Sequence, residues 1–588
     1  MCFPWQAFIA VLLVALVARV LLLASNAVSF HSDEAIVGLM ARHILQGARP
    51  TFFYGQAYMG SLDAWLVALG FSLLGESILT IRMVQSALYL LVVATGFLAA
   101  WRLSERVIVS TVAGLFLAIP SVDVALYTTA TLGGYNEVML LGNLILLFGY
   151  EVTHERARSA WRWAALGACA GLGWWVNGLI VIYALPVGVL ILYRLVSPIP
   201  RPPPRIQGGG ERRSIFPGYI LLAFIFFVVF SAPWWVFDFT HDHAALATYL
   251  TNRQTGEFEG IGIPYVPPSQ RALGLVLIGL PALLGLKFPW EASYFLLPIG
   301  VVVLLIHALA IVRLLRGRNP LKPDARGLVL GMIGLFCLIF VASTFGADPT
   351  GRYFVVLALP FGVVLGTLVE SAGGWKPSGY ERKPAGSRLK EPNTHPYDWL
   401  KPTVRRLKSL ASYGLVAVVI GFHIAGQIVA ASSPTGITTQ FDLVSHLPND
   451  HDAELIAFLD EQGIYHGYTN YWVAFRLAFL SGERMQFSAA LPYKRDLSYN
   501  AADNRYQPYV EATERAGRIA YITTNLPELD EQLETDWAAQ GIAYEEAWVG
   551  VFHVYYEFRP RSPDLSAAAR YGGCLSRTRP MGDSGPSR

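Results

Sequence analysis

Charge is scarce in this 588-residue chain: 15% of its residues are charged, where soluble globular proteins carry about 25%. With 54% apolar residues, 13% aromatic residues and a mean hydropathy of +0.42, too little polar material remains to cover the apolar surface. A soluble enzyme, a disordered scaffold and a collagen-like chain are thereby excluded. Cysteine is scarce as well. Cys2, Cys169, Cys337 and Cys574 are far apart and lack CxxC or metal-ligand spacing, so neither a disulfide framework nor a zinc site is expected. GxxxxGK[ST], HExxH and GxSxG motifs are also missing, which leaves nucleotide hydrolysis and metalloprotease chemistry without support. The run His241-Asp242-His243 reads as a solvated loop rather than a ligand set.

What is present is a series of long apolar runs. A membrane-spanning helix needs about 20 such residues, because within lipid its N–H and C=O groups must pair inside the helix. Runs lie near 5–27, 82–101, 107–122, 135–150, 162–176, 178–194, 215–235, 292–312, 327–345, 352–370 and 411–431, giving about eleven spans of a polytopic α-helical membrane protein. The first resembles a signal peptide, but no basic residue precedes it and no small-x-small site follows, so an uncleaved span is expected. Arg19 within it is expected to snorkel to a polar surface or cavity.

Basic residues set the orientation. A twelfth apolar stretch, 272–288, is short and contains Pro281. If it does not cross, 24 of the 45 basic residues fall in one set of loops, between Arg102 and Arg106, Arg156 and Arg162, Arg194 and Arg213, Arg313 and Arg326, and Lys376 and Lys408. The opposite loops hold only Arg42, Arg49, Arg82, Arg253, Arg271, Lys287 and Arg352. This bias makes 272–288 interfacial or re-entrant. It places the N-terminus in the cytoplasm and everything after 432 on the extracytoplasmic side of a plasma membrane. Basic residues confined to inner loops also remove nucleic acid from the expected partners.

Beyond 432 the composition becomes that of a water-exposed domain, with 21 of the 42 acidic residues. Strands are expected at 463–468, 484–488, 517–522, 542–547 and 550–557, and helices at 450–461, 470–480 and 526–540. The domains expected are a membrane domain over 1–431, a small extracytoplasmic α/β domain over 432–560 and a disordered tail over 561–588, with basic linkers at 197–213 and 371–408.

The first outer loop reads FHSDEAIVGLMARHILQGARPTFFYGQAYMGSLDAWLVALGFSLLGES. Ser32 is placed to cap a helix opening with Asp33 and Glu34, and Ile36, Leu39, Met40, His43 and Ile44 fall on one side. A second helix, 61–74, repeats the rhythm with Leu62, Trp65, Leu66, Leu69 and Leu73, and contains Asp63. Both are expected to lie on the membrane surface. The macrodipole favours a carboxylate at the first helix's start by about 0.3–1 kcal/mol. Asp33 is therefore a candidate base, or else it and Glu34 merely start the helix.

The run HSDEAIVGLMARHILQG, the Tyr/Gly-rich turn, the second helix ending in LLGES and the Arg opening the next span resemble the start of GT-C fold glycosyltransferases. The pattern is most similar to the protein O-mannosyltransferase-like and aminoarabinose-transferase-like group, including the RgtA/B/C/D-like proteins, and extends over most of 1–370. The resemblance implies an inverting glycosyltransferase whose donor is a sugar on a polyprenyl phosphate and whose acceptor, a protein, glycan or lipid, lies at the outer face. It implies Asp33 as base with Glu34 completing an acidic pair. In GADPTGRYFVVLALP it implies Arg352 as the donor-phosphate ligand, oriented by Asp348 and Tyr353. In TLGGYNEVM it implies Asn136 and Glu137 as donor or acceptor contacts.

Tyr54, Gln56, Tyr58 and Asp63 would shape the same cavity, or form an interfacial aromatic belt. The pattern departs from the group where YGQAYMG and WWVNGL, with Asn177, replace segments carrying a lysine. That shifts phosphate binding to Arg352, with Arg82 or Lys287 as helpers. No cofactor is expected; the superfamily allows a divalent cation, but no ligand cluster indicates one, and the metal set is empty. Membrane lipids are the remaining partners. The same spans also fit a lipid or glycan transporter, although intramembrane charge is sparse, and a non-catalytic membrane subunit.

Overall fold

The computed structural model describes residues 3–154, 159–196, 217–251, 266–372, 401–440 and 446–559. The tail over 561–588 and most of both expected linkers lie outside these residues. The chain divides into two compact units. One comprises 1–28, 58–245 and 263–439; the other comprises 29–57, 246–262 and 440–588.

The first unit is a helical bundle and makes the chain a polytopic membrane protein. Among the described residues, eight helices are long and apolar enough to cross a membrane: Trp5–Ala24, Ile78–Ser104, Gly178–Val196, Pro217–Thr240, Leu297–Leu315, Pro323–Ala342, Arg352–Ser371 and Leu410–Ala431. Three of the eleven expected spans fall short of that measure. Val107–Ala118 has 12 residues, Ala160–Val176 has 17, and Tyr135–Thr153 carries Asn136, Glu137, Asn143 and Glu151. Arg352–Ser371 is the most enclosed, and Phe354 through Leu359 are all buried.

A belt of ion pairs ties one end of this bundle together. Arg102 and Arg162 both meet Glu151, at 3.1 and 2.6 Å. Asp324 meets Arg194 and, at 3.0 Å, His154; Lys322 meets Glu105 at 2.5 Å, and Arg106 meets Glu370 at 3.7 Å. These residues come from the loops that charge bias assigns to one face. Glycines set the packing elsewhere: a Cβ on Gly167 or Gly171 would stand 2.0 Å from the Ala223 carbonyl oxygen or 2.4 Å from that of Phe227. This GxxxG pair lets Ala160–Val176 and Pro217–Thr240 run side by side in the same direction. Both helices therefore start at the belt, while Leu297–Leu315 ends there, since Ser371 Oγ donates to the Arg318 carbonyl. In the chain between Pro217–Thr240 and Leu297–Leu315, the segment from Pro268 to Leu283 forms three short helical pieces of 7, 5 and 4 residues.

The second unit is an α/β fold. Its sheet runs in the order Gln486–Leu491, His466–Asn470, Ala520–Thr524, Phe552–Arg559, Ala543–Val549, the first three strands parallel and the last two joined antiparallel. Alternation along the strands divides two cores. Ile522 and Val554 pack with Leu455, Leu459 and Leu477, while Tyr521 and Tyr555 pack with Leu529, Leu533 and Trp537. The strands lie within three residues of the expected positions; helix Gln507–Arg515 was not expected.

Helix Ser32–Leu45 belongs to this unit and corrects the surface-helix expectation. Ala35, Val37 and Ala41 are buried along with the expected apolar stripe, so the helix is enclosed nearly all round. It packs on Tyr471–Leu480: Phe30 meets Phe479, and the Arg42 guanidinium donates to the Phe479 carbonyl at 3.0 Å. Helix Leu62–Leu74, in the first unit, does the reverse. Leu69 and Leu73 of its expected stripe are exposed, and Asp63, Ala64, Val67 and Phe71 are buried.

Replacing Gly171 with Val should destabilise the detergent-solubilised protein by about 1–3 kcal/mol, because the backbone it meets cannot withdraw. Gly327→Ala, with nothing within 4 Å, should be neutral or slightly stabilising. Thermal unfolding of the two variants checks the contrast.

Candidate functional site

In the second unit, Ser32 does not cap its helix. His31 occupies the cap position without a side-chain capping bond to the helix, and the Ser32 hydroxyl donates to the Tyr471 carbonyl at 2.5 Å. Asp33 and Glu34 occupy the first turn, where unpaired N–H groups favour an acid. They then diverge: Glu34 is fully buried, while 28% of the Asp33 side chain stays exposed. Only Asp33 is therefore reachable.

Asp33 Oδ1 accepts a hydrogen bond from the Tyr471 hydroxyl. Oδ2 has no hydrogen bond among the described residues, and His31 Nδ1 stands 3.9 Å away. Tyr471 opens a helix at the carboxyl end of the strand His466–Asn470, where α/β sheets characteristically present functional side chains. Asn470 Oδ1 fixes that turn by accepting from the Trp472 N–H at 3.0 Å. Arg505 lies over the Tyr471 ring at 5.3 Å. Burial pushes the Tyr471 hydroxyl well above its ordinary pKa, against the opposing effect of Arg505 and with reinforcement from Asp33. It remains a donor at neutral pH.

Two clamps hold this loop to the α/β sheet. Asn449 Oδ1 accepts from the Phe30 N–H at 2.9 Å, and its Nδ2 donates to the Phe30 carbonyl at 2.8 Å. At the far end of the helix, His43 lies between the Tyr54 hydroxyl at 2.9 Å and Glu483 at 2.8 Å. Glu483 also accepts from Tyr509 at 2.6 Å and pairs with Arg42 at 3.3 Å. Burial opposes its ionisation, but these donors prevail and bring Glu483 down to about 2.

In the first unit, Arg352 is bound to Asp348 at 2.6 Å and lies 4.8 Å from the Tyr353 ring centre. Asp348 Oδ1 also accepts from the Thr350 N–H and hydroxyl. Burial raises the Asp348 pKa, but Arg352 and Thr350 outweigh it and hold the carboxyl below the ordinary range. Arg352 Nε has no hydrogen-bond partner among the described residues, and 40% of its side chain is exposed. Tyr58 and Tyr135 are electrostatic neighbours of Arg352, so Tyr58 joins the group expected of it.

Asp123, Tyr127 and Tyr135 are additions that sequence reading missed. Their spacing lies in a helix of six residues, Val122–Tyr127, and in the first position of the next, with no motif to mark them. Asp123 is buried, and neither carboxylate oxygen has a hydrogen-bond partner among the described residues. Burial and the neighbouring Asp348 raise its pKa well above the ordinary range. It abuts Gly351, whose φ of +112° suits glycine and whose absent Cβ would stand 2.3 Å from Asp123 Oδ1.

Asn136 and Glu137 stand apart from Arg352 in a polar chain. Asn136 Nδ2 donates to Gln85 Oε1 at 2.7 Å and the Thr128 carbonyl at 3.1 Å, and Gln85 donates to Asp63 at 2.6 Å. Thr131 also donates to Asp63, which is the electrostatic neighbour of Glu137. Asn136 is thus occupied in holding the 128–136 turn. Arg19 anchors the same turn: it is buried, bonds Thr129 Oγ1 at 2.5 Å and Thr128 Oγ1 at 2.6 Å, and stacks 3.8 Å from the Tyr89 centre. It does not snorkel to a surface. Arg82 is buried near the start of Ile78–Ser104. Lys287 donates to the Glu291 carbonyl beside Tyr294. No group of three or more His, Cys, Asp or Glu that could hold a metal occurs among the described residues.

A polytopic helical bundle and an α/β unit, each with a charged site, define the architecture. The chain is similar in fold to the crystal structure of ArnT from Cupriavidus metallidurans bound to undecaprenyl phosphate, at 14% identity and a TM-score of 0.55, covering 94% of this chain and 98% of that one. The apo structure of the same protein gives 14% identity and a TM-score of 0.53, covering 92% and 97%. No protein-family model matches the chain, and no curated protein does either. The GT-C resemblance read from the first loop therefore holds at the level of fold, over nearly the whole chain.

Asp503, buried in the second unit, is raised to about 7 by burial, with Arg505 and Lys494 opposing and Asp33 reinforcing the shift. Protonated Asp503 stabilises the fold fully below the ordinary carboxyl value near 4, and that contribution is lost as pH rises to about 7. Asp503→Asn should therefore gain stability relative to the native protein across pH 4–7, by at most about 4 kcal/mol, and by a constant amount above that window. Unfolding midpoints measured against pH check this.

Proposed function

We propose that the protein is an inverting membrane glycosyltransferase that moves a sugar from a polyprenyl-phosphate carrier to an acceptor hydroxyl at the outer face of the membrane. The observation that carries the reading is Asp33: a reachable carboxylate at a helix N-terminus, with one oxygen fixed by Tyr471 and the other open. Similarity in fold to a structure with bound undecaprenyl phosphate supports the carrier class.

The acceptor hydroxyl attacks the anomeric carbon, and Asp33 Oδ2 takes its proton as the new C–O bond forms. The bond to the lipid phosphate breaks, its electron pair leaves with the phosphate oxygen, and a single displacement inverts the carbon. Arg352 would bind the departing phosphate, held by Asp348 and flanked by Tyr353 and Tyr58. Arg82 would assist Arg352 at the phosphate, and Asn136 and Glu137 would contact donor or acceptor. A protein, a glycan or a lipid can supply the hydroxyl.

The ion-pair belt supports the orientation read from charge: belt in the cytoplasm, opposite end outside. Val107–Ala118 starts at the belt and Tyr135–Thr153 returns to it, while Ala160–Val176 leaves it again. Those three helices would complete eleven spans and put 432–560 in the extracytoplasmic space, acting on the acceptor or covering the site.

Purified native protein should release sugar from one member of a panel of labelled polyprenyl-phosphate sugars, with envelope extract as acceptor. Asp33→Asn should lower turnover by about 100-fold or more while still binding donor. Arg352→Gln should instead weaken donor binding by about tenfold or more. Full activity of Asp33→Asn would remove it as base, and behaviour independent of every donor would move the protein to the transporter class.

A further inference from the structure

We infer that Tyr471 is the positioning residue for the catalytic base: its hydroxyl fixes which oxygen of Asp33 faces the acceptor. This rests on the reading of Asp33 as base. Four observations converge on it. The Tyr471 hydroxyl donates to Asp33 Oδ1, leaving Oδ2 without a hydrogen bond among the described residues. The Tyr471 carbonyl, on the same residue, accepts from Ser32, so both ends of one tyrosine hold consecutive residues of the loop. Tyr471 begins its helix directly after a central strand and is buried, with little freedom to swing. Arg505 lies on its ring, and Trp472 and Phe475 pack beside it.

A carboxylate on a short side chain has two equivalent oxygens and a broad χ2 well. Without a fixed partner it presents either oxygen in a range of orientations. A buried donor on Oδ1 removes that freedom and aims the lone pairs of Oδ2. The charged and titratable groups near Asp33 in this unit are His31, Glu34, Tyr471, Asp503 and Arg505, with Lys494 acting on Asp503. Among the described residues only Tyr471 gives Asp33 a hydrogen bond.

The test uses the full-length protein in detergent, with the polyprenyl-phosphate sugar that the native protein turns over. Tyr471→Phe keeps the ring and deletes only the donor. It should lower kcat about tenfold or more while leaving the donor KM within about twofold. Tyr471→3-fluorotyrosine, which keeps a donor in nearly the same shape, should retain the native kcat. A merely structural role would move thermal stability and donor KM without this split between the two variants. If native protein and Asp33→Asn differ as expected but Tyr471→Phe keeps the native kcat, Tyr471 does not position the base. If no donor is turned over by the native protein, the glycosyltransferase reading itself fails.

Discussion

An ion in hydrocarbon is expensive, and that cost organises the helical unit. Most of its charges are driven to one end, where Arg102, Glu151, Arg162, Arg194 and Asp324 neutralise one another across five helices. At the other end several of the charges that remain are held by specific partners. Arg19 is consumed by Thr128 and Thr129, Asp63 by Gln85 and Thr131, and Asp348 by Arg352 and Thr350. The polar chain from Asp63 to Asn136 builds the floor on which the 128–136 turn rests.

That sorting is also why so much of the architecture was legible. Clustered arginines marked the belt, and apolar runs marked the spans, because both follow from single-residue transfer costs that a sequence expresses directly. The parallel strands were legible for a similar reason: Ile522 and Tyr521 alternate between two cores, and alternation is a local property. Asp33, Arg352 and Tyr58 were read as candidates because they sit in recognisable segments. The surface-helix reading of Ser32–Leu45 failed because its stripe of Ile36, Leu39, Met40 and Ile44 looks the same whether its other side faces water or protein. Ala35, Val37 and Ala41 are small enough to fit either setting, and only the packed helix Tyr471–Leu480 decides between them.

What was not legible depends on contacts far apart in the chain. Nothing near Ser32 announces that its hydroxyl bonds residue 471 rather than its own helix, or that Asn449 clamps Phe30. Asp123 was invisible for a different reason. Its helix is too short to carry a pattern, and the close approach of Gly351 is written only in three dimensions. The GxxxG of Ala160–Val176 lay in plain sight but meant nothing until the backbone of Pro217–Thr240 was placed against it.

The acidic residues differ in a way that bears on which of them can do chemistry. Asp123 is sealed from solvent without a hydrogen-bond donor among the described residues, and burial and the neighbouring Asp348 raise its pKa. Glu34 is fully enclosed as well. Asp348 is ionised but committed to Arg352, and withdrawing it would leave that guanidinium uncompensated. Asp33 alone in this set combines partial exposure, a helix N-terminus and a single donor that leaves one oxygen free. A base must be reachable and aimed; burial denies the first to Glu34 and Asp123, and pairing denies the second to Asp348. Asp33 is the carboxylate of this group left partly exposed with an unbonded oxygen, which is why the proposed mechanism gives it the proton.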